Sequence, residues 1–169
     1  MPDSVKLVGS MAAQPLVSVG GTEKGTLTDD LQSLSVEETT EGLYRCEATF
    51  VDFGPIGNGR VGSRYLDRRT VDFGDPFAID TTAGEGWATI FDGRVSGIEA
   101  HLTGNEPPTI TVLAEDRLQD LRMKRRTRTF EDTSVREVAR QIADDHGLQT
   151  EFDLGDSSRS VVAQLNQSD

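Results

Sequence analysis

The stretch Trp87-Ala-Thr-Ile-Phe-Asp-Gly-Arg-Val-Ser-Gly-Ile-Glu-Ala-His-Leu102 decides the fold class of this chain. Small or apolar residues alternate with polar ones along it, which is the pattern of half-buried β-strands. The pair Asp92-Gly93 in its middle is typical of a tight turn, so the stretch predicts two antiparallel strands joined there. Residues 108–114 alternate again and predict the next strand.

Further strands are predicted on the N-terminal side of this stretch. Residues 31–36 and 43–50 alternate, and the turn-like link 38–42 makes them a good antiparallel pair. Residues 16–19 and 76–80 are shorter strand candidates. Six or seven such strands separated by turn residues predict an antiparallel barrel or sandwich.

The pattern changes after residue 116, where a helix is predicted. Ser134-Val-Arg-Glu137 is a capping box, and apolar residues then recur at helical spacing on one face. Gly147 follows as a left-handed terminator, and residues 148–152 and 160–165 predict two strands. We therefore expect a flexible N-terminal arm at 1–14, an antiparallel β-barrel at 15–116 with a long loop at 51–75, and a connector with the start of an α/β unit at 117–169.

Residues 51–75 are predicted to form a long loop inserted between strands. Within them, Gly57-Asn-Gly-Arg-Val-Gly62 matches the glycine pattern of dinucleotide sites, which requires a following helix. Residues 63–70 carry arginines without an apolar stripe, so we interpret the motif as an ordinary glycine loop. The alternative is a nucleotide- or small-molecule-binding enzyme domain that uses the 57–62 loop.

The composition of the sequence limits the classes of partner and the cellular location that we expect for this protein. There are 29 acidic and 17 basic residues, a net charge of −12, which argues against nucleic acid and anionic membranes as partners. The sequence has neither an apolar run long enough for membrane insertion nor a secretion signal near its first residue, which predicts a cytoplasmic protein.

Few residues are candidates for chemistry. Cys46 is the one cysteine and lies in an alternating strand, so we predict a small core residue. His101 and His146 share no metal-ligand spacing, and Asp144 and Asp145 are interpreted as solvated surface. No catalytic, cofactor-binding or metal-binding residue is predicted, and no cofactor.

One basic cluster interrupts this acidic chain between residues 117 and 128. One interpretation is a solvated connector whose arginines pair with nearby acids. The other is an electrostatic dock for the acidic surface of a partner. The acids of the first interpretation are Glu115, Asp116, Asp120, Glu131 and Asp132. The interface residues of the second are Lys124, Arg125, Arg126 and Arg128.

Several segments carry a resemblance to a known family. They are Phe-Asp-Gly-Arg-Val-Ser-Gly-Ile-Glu (91–99), Pro-Pro-Thr-Ile-Thr-Val-Leu-Ala-Glu-Asp-Arg-Leu-Gln-Asp-Leu-Arg (107–122), Arg-Arg-Thr-Arg-Thr-Phe (125–130), Ala-Asp-Asp-His-Gly-Leu (143–148) and Val-Ala-Gln-Leu-Asn-Gln-Ser-Asp (162–169). Together they resemble the phage late control D proteins, which are the baseplate hub proteins of contractile tails and related injection systems. These in turn are similar to the N-terminal part of VgrG-type spikes.

The resemblance implies a fold and a role. The fold is α+β, mainly antiparallel β, with a β-barrel of the phage tail hub type followed by a small helix-containing α/β unit. The role is structural and not enzymatic: a homotrimeric hub that joins the tail tube protein to spike or baseplate proteins. Such a hub is cytoplasmic during assembly and then part of the phage tail or injection particle. In the family the 166–169 ending leads into a helix and a second barrel, so the chain looks truncated.

Overall fold

The structure, a computed structural model, describes residues 5–7, 15–39, 44–83, 86–152 and 158–169. The chain forms two compact units, Met1–Asp116 and Arg117–Asp169. The elements of the first unit are β1 (Val5–Leu7), β2 (Leu16–Val19), β3 (Thr22–Glu23), α1 (Gly25–Asp30), β4 (Leu31–Glu38), β5 (Arg45–Val51), β6 (Gly54–Gly57), β7 (Arg60–Gly62), β8 (Pro76–Ala83), β9 (Gly86–His101) and β10 (Thr109–Asp116). Those of the second are α2 (Gln119–Arg122), β11 (Arg125–Ser134), α3 (Val135–Asp145) and β12 (Ser158–Ser168).

The first unit is built on one antiparallel sheet of eight strands, in the order β1-β4-β5-β10-β9-β8-β2-β3. The predicted pairing of β4 with β5 is confirmed, with Val36 opposite Cys46. The prediction of an α+β, mainly antiparallel fold is also confirmed. Among the described residues β1 and β3 each pair on one side only, so the predicted closure into a barrel is not confirmed.

Two predicted segments fall partly outside the described residues. Of the predicted N-terminal arm, Val5–Leu7 form β1 and pair with β4, whereas residues 1–4 and 8–14 are not described. Most of the predicted 38–42 turn is likewise outside them.

Strand β9 is continuous, so the predicted turn at Asp92-Gly93 is wrong. Gly93 lies within the strand, opposite Asp116 of β10. A Cβ atom at Gly93 would lie 2.2 Å from the carbonyl oxygen of Glu115 and 2.7 Å from Cζ of Phe91. The glycine is therefore needed for close approach of two backbones rather than for a change of chain direction.

The core of this unit lies on the face of the sheet to which the apolar residues of the alternating strands belong. Alternate residues of β5 and β10 point into it, together with the fully buried Phe50, Phe77 and Phe91. Leu27 of α1 is buried in the same cluster. Cys46 is buried there as predicted, and its burial, with a smaller effect of the Glu47 charge, raises the pKa of the thiol to about 12. The thiol is therefore protonated and unreactive at neutral pH.

The second unit consists of a long antiparallel pair, β11 with β12, and helix α3. The predicted capping box is confirmed: the Ser134 hydroxyl accepts from the Glu137 N–H, and the Glu137 carboxylate accepts from the Ser134 N–H. No helix among the described residues is long and apolar enough to cross a membrane.

The strand predicted at 148–152 is wrong. Gly147 has a positive φ of 63°, and the Leu148 N–H donates to the Ala143 carbonyl at 2.8 Å. Together with the bond from the Gly147 N–H to the Asp144 carbonyl, this is a Schellman termination of α3. The apolar Leu148 belongs to the helix end, and residues 148–152 have no strand pairing.

Candidate functional site

The predicted loop at 51–75 contains a β-hairpin formed by β6 and β7. Asn58 and Gly59 occupy the two central turn positions with φ of 52° and 72°, between the paired residues Gly57 and Arg60. Positive φ at both positions defines the type I′ turn that Asn-Gly favours. The glycine motif thus forms a hairpin turn, and residues 63–75 after it form turns and bends rather than the helix that a phosphate site requires.

Asp52 ties the base of this hairpin together. Its side chain is fully buried, and its carboxylate accepts hydrogen bonds from the Ser63 hydroxyl at 2.6 Å and from the N–H groups of Arg64 and Tyr65, both at 2.7 Å. Charged acceptors make the stronger hydrogen bonds, so one carboxylate fixes both ends of the hairpin at a single point.

Arg64 and Tyr65 then attach this base to helix α1. The Arg64 guanidinium lies 2.5 Å from the Asp30 carboxylate, and the Tyr65 hydroxyl donates to the same carboxylate. Tyr65 is buried, and its burial, followed by the Asp30 hydrogen bond, raises the pKa of its hydroxyl. We call Asp52, Ser63, Arg64 and Tyr65 the anchor.

The hairpin beyond the anchor is open to solvent. We call residues 53–62 the hairpin arm; every residue from Pro55 to Val61 is exposed. Its exposed large apolar side chains are Phe53, Ile56 and Val61. A rigid base that carries an exposed hairpin with apolar side chains is an arrangement suited to binding another macromolecule.

The four basic residues predicted as a possible interface differ in their exposure to solvent. Lys124 and Arg125 are exposed, whereas Arg126 and Arg128 are partly buried within the second unit. Arg128 contacts Asp145 at 2.9 Å and Asp169 at 2.6 Å. These acids are distant in sequence and are not those named in the connector interpretation.

Asp169 is the centre of this charged cluster. Its side chain is only 1% exposed, and it contacts the Arg126 and Arg128 guanidinium groups and Nε2 of His146. The Gln164 amide also donates to it at 2.9 Å. Burial acts to raise the pKa of Asp169, but these hydrogen bonds and the two arginine charges outweigh it and lower the pKa below its usual value.

The lowered pKa predicts loss of stability in acid. Because the folded-state pKa of Asp169 lies below the unfolded one, its contribution to stability is complete above about pH 4 and is lost as the pH falls through the folded value. We expect the unfolding free energy to fall less steeply with acid in Asp169→Asn than in the unchanged protein. Urea unfolding between about pH 2.5 and 6 measures this, and parallel slopes would contradict it.

Arg128→Ala tests whether the basic cluster holds the second unit together. We expect a loss of about 2 kcal/mol, because the buried Asp169 carboxylate loses its closest cation and Gln164 loses a donor at 2.7 Å. The control is Arg125→Ala, since Arg125 is exposed and its removal is expected to change stability by less than about 0.5 kcal/mol. Equal losses in thermal unfolding would argue against this role.

His101 is exposed beside Glu99, and no group of three or more histidine, cysteine or acidic side chains in the described residues is placed to hold a metal ion. The features that sequence reasoning missed are the Asp52 anchor and the Asp145 and Asp169 contacts.

Comparison with known proteins places this geometry in context. No protein-family model and no curated protein sequence matches the chain. A prophage MuSo2 43 kDa tail protein from Shewanella oneidensis has a TM-score of 0.68 at 13% identity, over 93% of this chain and 45% of that chain.

The chain has the fold of phage tail and baseplate hub proteins. A second solved structure similar to this chain is an E. coli component of the type VI secretion system, described as structurally similar to the T4 bacteriophage tail proteins gp27 and gp5. Its TM-score is 0.52 at 12% identity, over 97% of this chain and 40% of that one. The chain thus spans less than half the length of each of these two solved proteins.

Proposed function

We propose that this protein is a structural baseplate hub component of a phage tail or contractile injection system, which joins the tail tube to the spike. The observation that carries the proposal is the match with the prophage tail protein, which extends over 93% of this chain and so includes elements of both units. The hub-type fold of the chain also agrees with the resemblance to late control D proteins, which covers roughly residues 15–169 and is specific from residue 91 onward.

A structural role fits the chemistry of the polar clusters. The buried carboxylates of Asp52 and Asp169 are fully engaged in hydrogen bonds and ion pairs that hold the backbone or the second unit together. A catalytic carboxylate would face a cleft with a reactive partner. The alternative, a nucleotide-binding enzyme domain, requires a helix after the glycine motif, and turns follow it instead.

The proposed partners follow from the role. Copies of the hub form a homotrimer, with the tail tube protein on one side and spike or baseplate proteins on the other. Assembly takes place in the cytoplasm, and the protein is then part of the particle. Lys124 and Arg125, which are exposed, are the members of the basic cluster available for an acidic partner surface.

Isolation of particles from cells that produce the full-length protein tests this function. We expect an epitope-tagged copy to co-purify with tube and spike proteins, and electron microscopy with an antibody to the tag to label the tube–spike junction. Cells lacking the protein are expected to yield no complete tails, and the restored gene to recover them. Complete tails in its absence would refute the proposal.

A ligand screen distinguishes the structural role from the alternative of a nucleotide-binding enzyme domain. A ligand that binds the folded state raises the melting temperature by mass action. We expect no rise with NAD or ATP at millimolar concentration, whereas a clear rise would favour the nucleotide-binding function.

A further inference from the structure

We propose that the hairpin arm, residues 53–62, is the surface through which one copy of this chain binds a second copy. The inference rests on the proposed function, because it assigns the contact by which hub copies meet. The inference concerns one segment of the chain and the molecule that binds to it. The proposed hub function and this contact can therefore fail separately.

The arm is held ready for binding. Asp52 fixes its two ends, and Arg64 and Tyr65 fix the base to Asp30 of α1. A binding loop that is already ordered loses little conformational entropy when it docks, so more of its contact energy appears as affinity. The type I′ turn at Asn58-Gly59 closes the hairpin between the paired residues Gly57 and Arg60, beyond a register shift between Pro55 and Gly57.

The arm presents apolar side chains on both faces of the hairpin. Val61 pairs with Pro55 on one face. Ile56 lies over Gly62 on the other, where a Cβ atom at Gly62 would be 3.1 Å from Ile56 Cδ1. Val61 is 63% exposed and Ile56 is also largely exposed. A two-stranded hairpin with both faces in water is marginal by itself, and a covering partner would remove these side chains from water.

The charges of the arm and of the whole chain favour a second copy of the chain as the partner that binds the arm. Arg60 is the one charged residue between 53 and 62, whereas the whole chain carries −12. Two copies repel each other over most of their surfaces, and that repulsion is least where one copy offers a nearly uncharged, apolar segment. The exposed Arg60 then meets the acidic surface that a second copy supplies.

The same charge argues for a head-to-tail contact. If two arms met each other, the two Arg60 side chains would be brought together. An arm that binds a different surface of the next copy avoids this, and head-to-tail contacts form a closed ring when the rotation from one copy to the next permits closure.

Site-specific photo-crosslinking in the full-length protein tests whether a second copy binds the hairpin arm. A photoreactive benzoylphenylalanine replaces Val61 in one variant and Val161 in the control, since Val161 is 55% exposed but belongs to β12. We expect irradiation of producing cells to yield from position 61 a product with twice the mass of one copy, in which both cross-linked peptides come from this chain, and none from position 161. No product at 61, a product only with another protein, or equal self-products at both positions would overturn the inference.

Charge variants measure the strength of the same contact. We expect Val61→Asp to weaken self-association in sedimentation equilibrium by at least about tenfold, and Val161→Asp to leave it unchanged. Ile56→Asp, on the other face, is a second variant, and circular dichroism checks that each is folded. Equal self-association in all variants, or a monomer at every concentration, would refute the proposal. Hub particles that form without a self-crosslink at 61 would refute the arm contact and leave the hub function standing.

Discussion

The Asp52→Ala variant is expected to lose about 4 kcal/mol of unfolding free energy in the first unit. The substitution leaves the N–H groups of Arg64 and Tyr65 without their acceptor at the buried base of the hairpin arm. Each unsatisfied buried donor costs about 1–3 kcal/mol, and the bond from the Ser63 hydroxyl is lost as well. Urea unfolding followed by circular dichroism measures the total.

The control for this substitution is Asp29→Ala. Asp29 is an exposed aspartate next to Asp30 in α1, and its loss is expected to change stability by less than about 0.5 kcal/mol. Amide hydrogen exchange in Asp52→Ala is expected to accelerate most at residues 53–75, because these lose their attachment first. A stability equal to that of the Asp29 variant would show that the carboxylate does not anchor the arm.

Gly93→Ala is the second substitution with a large expected effect. Its Cβ atom would lie 2.2 Å from the Glu115 carbonyl oxygen, which belongs to the backbone of β10 and cannot rotate away. The two strands must therefore separate at this point, at an expected cost of about 3 kcal/mol. For a chain of this length the melting temperature should fall by roughly 6–12 °C in a thermal scan.

Gly86→Ala provides a matched control in the same strand. A Cβ atom at Gly86 meets nothing within 4 Å, and no positive φ is imposed there. We expect its melting temperature to stay close to that of the unchanged protein. If Gly93→Ala were equally well tolerated, β9 and β10 would not approach as closely as the structure shows.

The elements predicted well are those whose signal is local. The alternation in β5, the paired strand β4 and the Ser134–Glu137 capping box each depend on residues close together in the chain. The dipeptide Asp92-Gly93 wrongly predicts a turn because Asp-Gly occurs both in turns and at close strand contacts. The feature that distinguishes them is Glu115, on the following strand.

The polar clusters could not be predicted from one sequence. Arg128 lies 41 residues from Asp169, whereas reasoning from neighbours assigned the arginines to nearer acids. Asp52 follows an alternating strand with no local sign that Tyr65 will need its carboxylate. The hairpin did have a signal, since Asn58-Gly59 favours a type I′ turn. The strands on either side contain glycine and proline and have no apolar alternation, so their sequence does not distinguish them from a loop.

The buried position of Cys46 has a practical consequence for labelling. Because the chain has a single cysteine and the pKa of its thiol is raised to about 12, maleimide reagents at neutral pH have no native target in the folded protein. A cysteine introduced at position 61 would take up a dye or spin probe selectively with Cys46 left in place. In the proposed contact between copies, distances between probes could then be measured by energy transfer or pulsed magnetic resonance.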